Sequence, residues 1–135
     1  MNVILSIKPK YVESIMNGEK LYEFRKSMFR RENVDRAYIY ATSPIKKVVG
    51  VFIIGGIIEE HPNRLWEECG NYSGLTEFEF FRYFNGKNKG VAIEIKELEK
   101  FNEPLELTDI FPNIVPPQSF CYVDMFVPAG GTKDE

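Results

Sequence analysis

The chain of 135 residues is 44% hydrophobic and 27% charged, the length and composition of one globular domain with its own core, needing neither metal nor disulfide. No stretch approaches the roughly 20 apolar residues of a membrane-crossing helix, and the first residues lack the basic, then apolar, then small pattern of a secretory signal. A cytoplasmic protein without membrane contact is therefore expected. The net charge of −3 argues against nucleic acid only until its distribution is read, because residues 1–50 carry ten Lys and Arg against five Asp and Glu, and the remainder seven against fifteen. Such asymmetry implies either a basic face on an acidic body or charges that interleave once folded.

Residues 1–7 contain Val3, Ile4, Leu5 and Ile7, an apolar run that predicts a buried strand. Pro9 suits the first turn of a helix, where its missing N–H is not needed. Val12, Ile15 and Met16 fall at i, i+3 and i+4 and give that helix one apolar face, and Gly18 is placed to end it. After the glycine the period changes to two. Tyr22 and Phe24 point to one side, the expected core side, and Leu21, Glu23 and Arg25 to the other, with Lys20 just ahead. This alternation of acid and base beside a helix end fits a solvated strand or a polar pocket.

Residues 26–36 form a polar connection whose Lys26, Arg30, Arg31 and Arg36 are either simply solvated or a phosphate-contacting rim. A strand follows over 37–42, with Tyr38, Tyr40 and Thr42 on one face and Ala37, Ile39 and Ala41 on the other. Thr42, Ser43 and Pro44 turn into the long run 48–58, where Gly50, Gly55 and Gly56 mark bulges or bends in one strand or two consecutive ones. Residues 62–69 are expected as a short helix with Leu65, Trp66 and Cys69 on one side and Gly70 as its stop. Thr76 should cap another, with Glu77 and Glu79 in the first turn and Phe80, Phe81, Tyr83 and Phe84 behind. These aromatics read as core cover in preference to a base-stacking platform.

A turn over 85–90 leads to a half-buried strand with Val91, Ile93 and Ile95 on one side. Residues 98–107 read as mixed structure, Pro104 barring a regular helix, and 108–111 as a single helical turn. A proline loop, a last strand over 120–127 and a mobile tail over 129–135 complete the chain. One domain over 1–128 is expected. Its class is α+β, a small mixed β-barrel of five to six strands with two to three flanking helices, since the elements do not follow strict βαβ alternation. Cys69 and Cys121 are expected as free thiols, and one histidine, His61, with two scattered cysteines makes a poor zinc set. No metal and no cofactor is expected.

The stretch Ser6-Ile7-Lys8-Pro9, with Gly18-x-Lys20-x-x-Glu23-x-Arg25 behind it, resembles the opening of an ASCH domain, a member of the PUA-like superfamily. Tyr40-Ala41-Thr42-Ser43-Pro44, the Val48-Val49-Gly50 strand, Trp66, Tyr83-Phe84 and Pro117-Gln118-Ser119-Phe120 extend the likeness over residues 2–127. The resemblance implies a small β-barrel and a cleft holding RNA or a modified base. It implies nothing firm about chemistry.

The leading functional expectation is a module binding RNA or a (modified) nucleotide in a polar, partly basic cleft beside the first helix. Its candidate ligand-binding residues are Ser6, Lys8, Lys20, Glu23, Arg25, Tyr40, Thr42 and Ser43, with Lys10, Lys26, Arg30 and Arg31 as the phosphate rim. A Glu carboxylate can accept from an exocyclic amine, while Lys and Arg can hold phosphate or carbonyl oxygens. The alternative is a small amidohydrolase. Some ASCH-type proteins are deacylases of an acylated cytidine nucleoside, with a lysine and a threonine of this strand and a glutamate from elsewhere as the proposed catalytic set. Lys20 and Arg25 match their pattern, but Glu23 stands where the threonine is expected. Lys20 would then be the base, with Thr42 or Ser43 as nucleophile or Glu23 activating a water. A third reading is a protein-interaction domain using the acidic pairs Glu59-Glu60 and Glu67-Glu68.

Overall fold

The computed structural model describes residues 1–27 and 33–123. In chain order the elements are β1 (Asn2–Ile7), α1 (Pro9–Met16), β2 (Tyr22–Arg25), β3 (Arg36–Ala41), β4 (Lys47–Glu60), α2 (Pro62–Cys69), a 3-10 turn (Gly70–Tyr72), α3 (Glu77–Tyr83), β5 (Gly90–Leu105), α4 (Leu107–Ile110) and β6 (Phe120–Val123). The strands form one mixed six-stranded sheet in the order β2-β5-β4-β3-β1-β6. β1 runs parallel to β3 and antiparallel to β6, and β3/β4 and β2/β5 are antiparallel. The α+β class and the mixed sheet are as expected, with four α-helices among the described residues. The expected tail lies outside those residues, as does the final strand beyond Val123.

The chain divides into two compact units, one built from residues 1–12, 33–53 and 97 onward, the other from residues 13–32 and 54–96. In the first, β1 is buried on both faces, with Val3, Ile4 and Leu5 wholly inside, which is why it reads as a continuous apolar run. Ile4, Tyr38, Tyr40, Val48 and Val51 pack with Leu107, Ile110, Phe111 and Val123, and Tyr38 meets Phe111 edge to face at 5.4 Å. In the β3/β4 ladder Ile39 pairs with Gly50 and Tyr40 with Val48, so Val49 is the extra residue of a bulge beside the glycine expected to mark one.

The stretch after residue 97 corrects the sequence reading. Residues 98–105 continue β5 and are not mixed structure. Glu97 takes a φ of 47°, and beyond it Phe101 and Leu105 pack on the first unit's core. Pro104 sits next to the strand's end, where a missing N–H is tolerated. The charges along the chain also redistribute. In the first unit the described residues carry six basic and six acidic side chains, because the basic early segments fold with the acidic stretch after 97.

The second unit is built on rings. Phe80 lies 5.1 Å from Phe24, 5.1 Å from Trp66, 5.0 Å from Phe81 and 5.0 Å from Phe84 between centroids, and Leu65, Cys69 and Ala92 fill the spaces. Core is therefore the right reading of most of the aromatic crowding. α2 is capped by His61, whose Nδ1 accepts from the Asn63 N–H at 3.1 Å. Thr76 and Glu79 close a reciprocal capping box at the start of α3, with bonds of 2.9 and 3.1 Å. Gly90 is needed for close approach, since a Cβ there would meet the Phe84 ring at 2.5 Å.

Because the Thr76 hydroxyl satisfies one otherwise orphaned helix N–H, Thr76→Ala is expected to lower unfolding free energy by about 1 kcal/mol. Urea titration checks it, with an unchanged m-value marking a pure stability effect.

Candidate functional site

A cluster of buried charges lies in the second unit at Lys20, Glu23 and Arg25, which are 3%, 7% and 8% exposed. Their placement begins at the end of α1. Gly18 adopts a φ of +86°, and the N–H groups of Glu19 and Lys20 both donate to the Ser14 carbonyl at 3.0 Å. This fixes the chain direction at Lys20 before β2 begins. Along β2, Glu23 pairs in register with Ile93 and Arg25 with Val91 on β5.

Strand alternation was expected to leave Glu23 and Arg25 either solvated or in a polar pocket. Both are buried, as Phe24 is between them, so no solvated face exists at these positions. The charges face one another. An Arg25 guanidinium nitrogen lies 3.0 Å from Glu23 Oε2, and Lys20 Nζ lies 4.0 Å from Glu23 Oε1. Lys20 Nζ also donates to the Ser73 carbonyl at 2.8 Å and stands 4.9 Å from the centre of the Phe24 ring. Burial holds the Lys20 ammonium below its ordinary pKa; Glu23 opposes that shift and Arg25 adds to it.

Three residues of this site were not singled out as site residues in the sequence. Ser73, fully buried, donates from Oγ to the Gly70 carbonyl at 2.8 Å and accepts from the Leu75 N–H at 3.1 Å, which aims its own carbonyl at Lys20. Gly74 has a φ of +71°, and a Cβ there would lie 2.8 Å from Lys20 Cβ. The Ser-Gly pair ahead of a helix cap is the only sequence signal for this wall, and it reads there as an ordinary loop. Tyr83 donates its hydroxyl to the Phe24 carbonyl at 3.3 Å. Burial raises the Tyr83 phenol, Arg25 lowers it and Glu23 raises it.

Of the other candidate residues, Lys26 borders this site. Lys26 is exposed, its ammonium 4.7 Å from the centre of the Tyr83 ring. In the first unit, Ser6 Oγ donates to the Pro117 carbonyl at 2.6 Å, and Ser6 pairs with Tyr40 in the β1/β3 register. Tyr38 and Tyr40 are buried in the apolar core, so the expected aromatic face of β3 is turned inward and offers no open ring to a base. Thr42 is half-buried, its N–H donating to the Ile7 carbonyl at 3.0 Å, and Ser43 is exposed in the turn that follows. Lys8 and Lys10 are exposed. Arg30 and Arg31 lie outside the described residues. Cys69 packs in the second core and burial pushes its thiol up to about 11, away from reactive thiolate chemistry.

The ASCH domain family model matches residues 5–104. The chain belongs to the ASCH domain family. Among its relatives is a protein of Zymomonas mobilis named "ASCH domain-containing ribonuclease", 30% identical over 123 residues that cover 89% of this chain and 82% of that protein. The crystal structure of ASCH from Zymomonas mobilis superimposes with a TM-score of 0.82 at 29% identity, covering 91% of this chain and 87% of that one. Similarity also extends to the large ribosomal subunit protein uL22 of Ureaplasma parvum, 29% identical over 108 residues, where it spans 79% of this chain and only 34% of that protein. These likenesses establish the PUA-like fold class of this ASCH domain and its kinship with the Zymomonas protein.

Two outcomes are expected of the buried charges. Glu23→Gln removes the carboxylate between two buried cations and is expected to destabilise the fold by about 3–5 kcal/mol, measured by urea titration at neutral pH. Lys20 gives the pH dependence. Its native pKa is below its unfolded value of 10.5, so between the two the unfolded chain binds more protons and stability climbs with pH. Below the native pKa the penalty is present in full. The stability of the wild type minus that of Lys20→Met is therefore expected to be flat at low pH and to rise through that window, by at most about 1.4 kcal/mol per pH unit. A difference flat throughout would show that Lys20 is not a buried ammonium.

Proposed function

We propose that this ASCH domain binds RNA at the Lys20–Glu23–Arg25 cluster and acts on it as a ribonuclease-type protein. The observation that carries the reading is its kinship, at 30% identity over 82% of that protein's length, with the Zymomonas protein named a ribonuclease. The cluster supplies chemistry suited to a nucleotide. Glu23 is a fixed acceptor for a base amine, and Arg25 and Lys20 are donors for carbonyl or phosphate oxygens. Glu23 and Arg25 each keep 10% of their side-chain surface exposed, whereas Lys20 keeps 3%, so a ligand would meet the ion pair first. Lys26, exposed in the same unit, is the proposed phosphate contact.

A second reading has one observation in its favour. An amine whose pKa is lowered by burial, as that of Lys20 is, is a better general base near neutral pH than an exposed lysine. This is the lysine required by the amidohydrolase alternative acting on an acylated cytidine nucleoside. Against it stands Glu23, tied to Arg25 at 3.0 Å where a hydroxyl nucleophile is wanted. Incubation with N4-acetylcytidine separates the two: release of cytidine by the wild type and not by Lys20→Met would establish the hydrolase.

The RNA reading is tested with end-labelled single-stranded RNA. The wild type is expected to bind with a steep salt dependence and to shorten the RNA with time. Lys26→Ala should reduce the slope of log K against log salt by roughly 0.7, the share of one single-strand phosphate left without its lysine. Absence of binding at low salt would sink the reading, and binding without shortening would leave a binding module alone.

A further inference from the structure

We infer that Tyr83 is the stacking platform of this site, carrying an unpaired RNA base on its ring while Lys26 takes an adjoining phosphate. The inference rests on the RNA-binding reading and adds to it the residue that grips the base. α3 turns Phe80 and Phe84 into the core but leaves Tyr83 37% exposed. An exposed tyrosine on a helix is ordinary by itself. This one is held at both ends.

Its hydroxyl donates to the carbonyl of Phe24, the residue between Glu23 and Arg25. Its ring packs edge to face on buried Phe84, with centroids 4.8 Å apart. The phenol end is tucked in, close enough to the cluster for both Arg25 and Glu23 to act on its ionisation. The residue is nonetheless 37% exposed, and the Lys26 ammonium stands 4.7 Å from the ring centre. A ring already fixed in place loses little conformational freedom when a flat partner settles on it.

A cation over the ring marks an electron-rich surface able to attract either a charge or another π system. A base lying on Tyr83 would displace the ammonium. The long Lys26 side chain would then be free to follow the phosphate of the same nucleotide, and the edge of the stacked base would face the Glu23–Arg25 pair. Stacking supplies affinity with little sequence preference, and the ion pair supplies discrimination. Phe78 is more exposed, at 71%, with Arg82 5.6 Å from its ring centre. It lies two residues from Phe80, on the opposite side of α3 from the core.

The experiment measures binding of a single-stranded oligoribonucleotide containing one 2-aminopurine to the wild type, Tyr83→Phe, Tyr83→Trp, Tyr83→Leu and Lys26→Ala, with melting curves as the folding control. The wild type should quench 2-aminopurine on binding. Tyr83→Phe and Tyr83→Trp should bind within about threefold of it, and Tyr83→Leu about tenfold more weakly at an unchanged salt slope. Lys26→Ala should lower that slope by roughly 0.7. RNA binding by the wild type without quenching, or equal affinity in folded Tyr83→Leu, overturns the platform and leaves the RNA-binding reading standing. If Tyr83→Leu does not fold, the quenching and the Tyr83→Phe and Tyr83→Trp affinities decide. No RNA binding by the wild type overturns both.

Discussion

Glu23 is the residue on which the candidate site depends. It is one carboxylate between two cations, all three nearly out of water, and each of the other two is held in place partly by facing it. Such an arrangement is a poor source of stability, because desolvating three charges offsets much of their attraction. Apolar side chains of similar volume would fold at least as well. What the charges contribute is position: a guanidinium and a carboxylate fixed 3.0 Å apart on a strand whose backbone is itself locked to β5. Pre-positioned polar groups of this kind suit recognition, since the ordering has been done before any ligand arrives.

The rest of the second unit serves that placement. The ring cluster around Phe80 fixes Phe24, and Phe24 fixes the register of Glu23 and Arg25 on either side of it. The loop at Ser73 and Gly74 closes over Lys20 only because a glycine at φ +71° lets its backbone approach that side chain. The loop carbonyl then receives the Lys20 ammonium. Helix end, strand, ring cluster and loop converge on three charged groups, and a change in any one of them is felt at the others.

Much of this could be read in the sequence, and the failures have a common cause. Pro9, Gly18, Gly70 and the Thr76–Glu79 pair announce their helix ends because capping is local chemistry. The period-two stretch from Leu21 to Arg25 reads as a strand with Glu23 and Arg25 as neighbours, and the structure has both. The stretch could not tell which side was wet, because its surroundings come from segments more than 40 residues downstream, with Ser73 meeting Lys20 and Tyr83 meeting the Phe24 carbonyl. Tyr38 and Tyr40 failed in the opposite sense. Alternation alone made them look available, whereas β3 lies inside the sheet between β1 and β4 and is covered on both faces. Residues 98–105 were misread through Pro104, whose position next to the end of a strand removes the objection to it.

The occupant of position 23 weighs on the choice between chemistries. A hydroxyl there would be a nucleophile waiting for a base, and buried Lys20 with its lowered pKa would be that base. A carboxylate reverses the logic. Glu23 favours the charged form of Lys20, working against the desolvation that would make the amine basic and neutral. It also commits its second oxygen to Arg25. To activate a water it would have to loosen from a guanidinium that has little access to solvent in compensation. To accept a hydrogen bond from a base amine it need only use a lone pair that the two cations leave open, since a carboxylate offers about four. The residue that departs from the deacylase pattern thus costs the hydrolytic reading an activated group and costs the recognition reading nothing, and that asymmetry tilts the site toward holding a nucleotide.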